Sequence, residues 1–114
     1  MRSAAAMKQA LPRWSPQDLD QAVRAHRVVV AELRSDSCPR CGPQESVLLR
    51  LNDELTGDLV MGSVDINDHA EVIERFEIAG VPAILFFAEG ILTRTMIGFH
   101  RSPELKPLLR NLIA

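Results

Sequence analysis

The sequence predicts an α/β domain in which a central mixed β-sheet carries helices on both faces, a three-layer sandwich. Short apolar, largely β-branched runs, too brief for ordinary helices, alternate with segments of helical period. The early connections are long enough for crossovers, which favour parallel pairing. Late in the chain, two apolar runs are separated only by Glu89-Gly90, the signature of a tight hairpin that adds an antiparallel pair.

Residues 1–14 show no clear period, and Pro12 and Pro16 bracket Trp14, so this stretch reads as a tail or short extended lead-in with no chemistry assigned to it. Trp14 is expected to pack against the domain body, because a ring of that size gains most by burial. The domain proper is placed at 15–114. Ser15-Pro16 supplies an N-cap and a first-position proline, and Leu19, Ala22, Val23 and His26 recur at helical spacing. Val28 to Leu33 reads as a buried strand. Val47, Leu48, Leu51 and Leu55, closed by Gly57, predict a second helix over 43–56. Leu59 to Val64 is the next strand, and Asp68 with Glu71 has capping-box spacing for a third helix that Gly80 ends. Ala83 to Ala88 and Ile91 to Ile97 form the hairpin strands. Ser102-Pro103 opens a last helix carrying Leu105, Leu108, Leu109 and Leu112.

Composition narrows the function classes. A chain of 114 residues, 46% hydrophobic and 25% charged, is expected to form one soluble domain that needs no disulfide or metal staple. Thirteen Lys and Arg against fifteen Asp and Glu, without a basic block, leave no electrostatic footprint for nucleic acid. The longest apolar stretch, Val81 to Ala88, contains Pro82 and is far short of a membrane span. Lys8 and Gln9 interrupt the N-terminus before an export signal forms, and the two cysteines are spaced C-x-x-C; a reducing compartment, the cytoplasm, is expected.

Ser37-Cys38-Pro39-Arg40-Cys41 falls between a buried strand and a helix, where free N–H groups and the helix dipole favour a thiolate. Two intervening residues bring the cysteines within the roughly 4.4–6.8 Å Cα separation of a disulfide. Arg40 lowers the thiol pKa, while Asp36 and Glu45 oppose it. Pro43 implies either a helix that starts after it or a distorted first turn. Zinc would need two further ligands near the cysteines, and His26, His69 and His100, expected to be solvated, do not supply them. Neither metal nor cofactor is expected.

Cys38-Pro39-Arg40-Cys41, Gly80-Val81-Pro82 leading into Ala83-Ile84-Leu85-Phe86-Phe87, and Phe87-Ala88-Glu89-Gly90 with Gly98 together resemble the thioredoxin family closely over residues 16–114. The resemblance implies a thioredoxin-like fold, with Cys38 as attacking thiol, Cys41 as resolving thiol, and Pro82 in cis facing the cysteines. It matches Glu32 to the family's buried carboxylate. If that side chain turns inward, its pKa rises and it accepts the Cys41 proton; if outward, it is merely solvated. Ser37, Pro39, Arg40, Val81 and Pro82 are expected to contact substrate, with the Val81 backbone pairing to an extended segment. Ser37 and Arg34 stand where the family usually has tryptophans, which makes the rim more polar. Met61 replaces the lysine that usually accompanies the carboxylate, leaving a Glu32 anion less stabilised.

The expected function is that of a monomeric thiol-disulfide oxidoreductase that reduces protein disulfides and is recharged by a reductase or dithiol donor. The alternative is a binding or chaperone-like module that uses the Val81-Pro82 surface without turnover.

Overall fold

The Ser15 hydroxyl accepts a hydrogen bond from the Asp18 N–H at 3.1 Å, and the Asp18 carboxylate accepts one from the Ser15 N–H at 3.0 Å. This capping box, with Pro16 in the first turn, starts α1 (Pro16–Ala25) in the computed structural model, which describes residues 10–114. There follow β1 (Val28–Arg34), α2 (Cys41–Glu54), β2 (Leu59–Asp65), α3 (Glu71–Arg75), β3 (Ala83–Ala88), β4 (Ile91–Ile97) and α4 (Ser102–Ile113). The strands form one mixed sheet in the order β2-β1-β3-β4.

β1 is central, and every residue from Val28 to Leu33 is buried. Alternation along it divides the core. Val29, Ala31 and Leu33 meet Leu19 of α1 and Val72 of α3 on one face. Val30 meets Leu48 and Leu51 of α2 and Leu105 and Leu109 of α4 on the other. Each of these valine and leucine side chains contributes about 1.5–3 kcal/mol by burial. Both Glu89 (φ 53°) and Gly90 (φ 81°) have positive φ, as a type I′ hairpin turn between β3 and β4 requires.

The elements differ from the sequence expectation in four places. β1 pairs parallel with β2, but β3 runs antiparallel to β1 and so to β2. Leu33 lies beside both Val64, near the end of β2, and Ala83, the start of β3, so the connection that contains the short α3 turns back at the sheet end where β2 finishes instead of returning along the sheet.

α3 also stops before Gly80. Glu77 takes a left-handed conformation (φ 55°), its N–H donates to the Glu74 carbonyl at 3.2 Å, and the Ile78 N–H donates to the Ile73 carbonyl at 2.9 Å. That is a Schellman motif, with buried Ile78 as its apolar anchor. Asp68 does not cap α3: Ala70 occupies the N-cap without a side-chain bond, and the Asp68 N–H instead turns back to the Asp65 carbonyl.

α2 begins at Cys41 rather than 43 and ends at Glu54 rather than 56. Pro43 is its third residue, where an N–H has no partner within the helix, so the missing donor removes nothing.

Of the N-terminal stretch, residues 1–9 lie outside the described residues. Leu11 is buried in the α2/α4 face, and Trp14 packs on the other. The Trp14 N–H donates to the Ser63 carbonyl at 2.7 Å and the Ser63 N–H to the Pro12 carbonyl at 2.9 Å, so Arg13 forms a parallel bridge on the β2 edge. A Cβ at Gly62 would overlap the Trp14 ring, which is why glycine stands there.

Candidate active site

β1 carries the chain into the cysteine segment at one end of the sheet. The Cys38 N–H donates to the Ser35 carbonyl at 3.2 Å and the Cys41 N–H to the Cys38 carbonyl at 3.4 Å, which coils residues 35–41 into the start of α2. Arg40 is the N-cap residue and Cys41 the first helical residue. Cys38 and Cys41 are joined as a disulfide with Cα atoms 5.5 Å apart. The two sulfurs are not equivalent. Cys41 is fully buried against the core, whereas Cys38 is half-buried and reachable from outside.

The other residues singled out in the sequence surround this pair unevenly. Ser37, Pro39 and Arg40 are exposed. The Ser37 hydroxyl lies 3.0 Å from that of Ser35, which donates to Asn67 Oδ1 at 3.2 Å, so the residue before Cys38 is tied to the loop after β2. Leu33 pairs with Ala83. That register brings Val81 and Pro82, which precede Ala83, to the sheet end from which residues 35–41 emerge. The Val81–Pro82 bond is cis, Pro82 is buried and Val81 half-buried. Asp36 and Glu45, expected to oppose Arg40, are engaged elsewhere: Asp36 accepts from Arg34 Nη1 at 3.2 Å, and Glu45 from Arg13.

Glu32 turns inward. It is fully buried on the face of β1 that carries Val30, toward α2 and α4, and neither carboxyl oxygen has a hydrogen-bond partner among the described residues. A carboxylate without partners in such a place is far more costly than a neutral acid. Burial, followed by the negative charge of Glu45, accordingly pushes the Glu32 pKa up to about 8, against weaker opposing effects of Arg34 and Arg13. Met61, buried beside Val30 on the neighbouring strand, supplies no charge.

Two polar residues of this region, Gln44 and Arg13, carry no role in the sequence reading, and Glu45 takes a different one from the role expected of it. Gln44, fully buried, donates through Nε2 to the His100 carbonyl at 3.1 Å and accepts from the His100 N–H at 2.7 Å, clamping the start of α2 to the chain entering α4. Glu45 is also buried, and its Oε2 accepts from the Leu11 N–H and from Arg13 Nη1, both at 2.7 Å. Arg13 lies in the stretch to which no chemistry was assigned. Extending the Leu48 and Leu51 period back to Cys41 would have put positions 44 and 45 on the buried side of α2; nothing local marks Arg13. The histidines are also less solitary than expected: His26 lies 2.7 Å from Asp58, and His100 lies 3.0 Å from Glu104.

Comparison with known proteins agrees with this geometry. A family profile described as Thioredoxin matches residues 11–111. Mitochondrial thioredoxin of Mus musculus is 26% identical over 98 residues, covering 86% of this chain and 59% of that protein. Thioredoxin of Mycoplasmoides gallisepticum is 28% identical over 96 residues, covering 82% and 92%. Among solved structures, a mutant thioredoxin from Halobacterium salinarum NRC-1 has the same fold, with a TM-score of 0.83 at 23% identity over 91% of this chain and 90% of that one. The chain spans 59% of the length of the mitochondrial relatives it matches. With the profile running from the buried Leu11 through the cysteine pair to the last helix, the chain belongs to the thioredoxin family.

Proposed function

We propose that this protein is a thiol-disulfide oxidoreductase that reduces disulfides of protein substrates. One observation carries the reading: a disulfide at the head of a helix with one sulfur accessible and the other buried, the asymmetry that separates an attacking from a resolving thiol. In the reduced protein the Cys38 thiolate attacks one sulfur of the substrate disulfide. That bond breaks, a mixed disulfide forms, and the departing substrate sulfur takes up a proton. Cys41 then passes its proton to the Glu32 carboxylate and attacks the Cys38 sulfur. The mixed disulfide breaks, the second substrate sulfur leaves as a thiolate that takes a proton from solvent, and the two electrons now on the substrate dithiol have come from the Cys38–Cys41 dithiol.

Recharging reverses the path. A donor dithiol attacks Cys38, Cys41 leaves as a thiolate, and protonated Glu32 returns the proton; the donor's second thiol then closes the donor disulfide and frees Cys38. A carboxyl that keeps its proton in the oxidised state is prepared for that transfer. Ser37, Pro39 and Arg40 form the exposed rim, and Val81, ahead of buried Pro82, offers backbone groups to an extended substrate strand. The partners we assign are protein disulfides and a reductase or dithiol donor. The setting we assign is the cytoplasm, with the protein working as a monomer; among the described residues no helix is long and apolar enough to cross a membrane.

Insulin reduction by dithiothreitol tests the proposal. The wild-type chain should accelerate it and Cys38→Ser should abolish the acceleration. Equal rates for the two would favour a binding module working without turnover. Replacing Glu32 by Gln should slow resolution of the mixed disulfide more than the initial attack. Equal slowing of both steps in stopped-flow would remove the proton-transfer role.

A further inference from the structure

On the α2 side of the sheet, Glu32 has Ser63 as its register partner on β2. The Ser63 hydroxyl accepts from Arg13 Nη1 at 2.8 Å, and the same nitrogen donates to Glu45 Oε2 at 2.7 Å and to the Leu11 carbonyl at 3.1 Å. Arg13 Nη2 completes a fork on the carboxylate at 3.4 Å from Oε1. Glu45 is four residues after Cys41, so both lie on one face of α2, and both are buried. The lead-in and α2 thus deliver one cation and one anion to the side of β1 on which Glu32 has no hydrogen-bond partner among the described residues. The remaining charge that acts there is Arg34, at the end of β1, whose Nη1 is turned toward Asp36 and lies 3.6 Å from Asp65.

We propose that Arg13 and Glu45 act as a positioning pair for resolution, Glu45 placing a negative charge on the Glu32 side of β1 that draws the Cys41 proton to that carboxylate and Arg13 moderating the pull, so that the N-terminal lead-in takes part in the redox cycle. The inference rests on Glu32 being the proton partner of Cys41. It does not follow from the hydrogen bonds alone, which would serve equally well to pin the lead-in to α2. What separates the two roles is charge. Glu45→Gln keeps an oxygen for the Leu11 N–H and for Arg13 while deleting the anion. Arg13→Met deletes the cation from a side chain that is half exposed and sits at the domain edge.

The experiment is the pH profile of mixed-disulfide resolution by stopped-flow in the full chain, read as the pH of half-maximal rate. Glu45→Gln should lower that midpoint by about one pH unit, the lower end of what one neighbouring charge produces, and Arg13→Met should raise it. Glu32→Gln should abolish the inflection, leaving only the titration of the thiol. Midpoints unmoved in the Glu45 and Arg13 variants, with the inflection still lost in Glu32→Gln, would overturn the positioning pair alone. An inflection that survives in Glu32→Gln would instead overturn the proton-transfer reading beneath it. Should Glu45→Gln fail to fold, Arg13→Met decides the question by itself, since an unmoved midpoint there is equally fatal.

Discussion

At the scale of single residues, Glu32 sets a measurable pH dependence. Its folded-state pKa of about 8 lies above its ordinary value, so between the two pH values the folded protein holds a proton that the unfolded chain has released. Stability therefore falls as pH rises through that window, by up to about 1.4 kcal/mol per pH unit, and levels off above it. Glu32→Gln removes the slope. Urea melts of the oxidised protein at half-unit steps from about pH 5 to 9 should show the variant gaining on the wild type up to about pH 8 and holding its lead above that, and curves parallel across the whole range would refute a buried, proton-holding Glu32. Arg40 is tested differently: exposed at the N-cap of α2, it should favour the Cys38 thiolate in the reduced protein, so Arg40→Ala should raise the alkylation pKa of Cys38.

At the scale of elements, the placement of α2 depends on contacts outside its own sequence. Gln44→Ala would break two hydrogen bonds between the head of this helix and the chain entering α4, with an expected loss of about 2 kcal/mol or more in urea unfolding. A loss under about 0.5 kcal/mol would show that the clamp is idle. Gly62→Ala tests the docking of the lead-in, because the added methyl meets the Trp14 ring at the β2 edge. Overpacking of this kind destabilises by about 1–3 kcal/mol. Trp14 is the only tryptophan, so its fluorescence should shift to the red as the ring is displaced into water. An unchanged spectrum would mean that the ring yields without leaving its place.

The apolar period makes the body of α2 legible, though not its start at Cys41, and Ser15 with Pro16 marks the N-cap of α1, though not the Asp18 half of its capping box. The end of α3 is not legible. Gly80 is the residue that ordinarily stops a helix, yet the chain turns at Glu77 because Ile78 gains a buried seat and the Ile73 carbonyl gains a donor. Tertiary burial there outweighs the left-handed penalty of a non-glycine residue.

For the molecule as a whole, the ionisable groups combine into one trend. His100 has a carboxylate oxygen of Glu104 at one ring nitrogen and the Ile97 carbonyl at the other, each at 3.0 Å, and both bonds are donated only by the protonated ring. Its pKa is raised, chiefly by Glu104. A raised histidine stabilises fully below its unfolded pKa and loses that contribution as pH rises through the folded value, the same direction as Glu32. On the acid side Asp58 is lowered, first by the Arg27 N–H and then by His26, so its contribution is present above its unfolded pKa and lost as pH falls. The oxidised protein should therefore melt highest on the acidic side of neutrality, near about pH 5–6. A thermal midpoint still rising above pH 7 would contradict the assignments of Glu32 and His100 together.

What this sequence determines by itself is whatever neighbours along the chain can enforce. The Cys38–Cys41 pair, the Glu89-Gly90 hairpin and the apolar strands are each specified within a few residues, where backbone geometry leaves little choice. Tertiary structure alone decided the direction of β3, which depends on where the connection after β2 turns back, and the burial of Glu32, which depends on β1 becoming an inner strand with helices over both its faces. It also decided the meeting of Arg13 with Glu45, 32 residues apart. Such contacts form only when the sheet and its covering helices close over them, and the energy that selects them is the desolvation of the completed core.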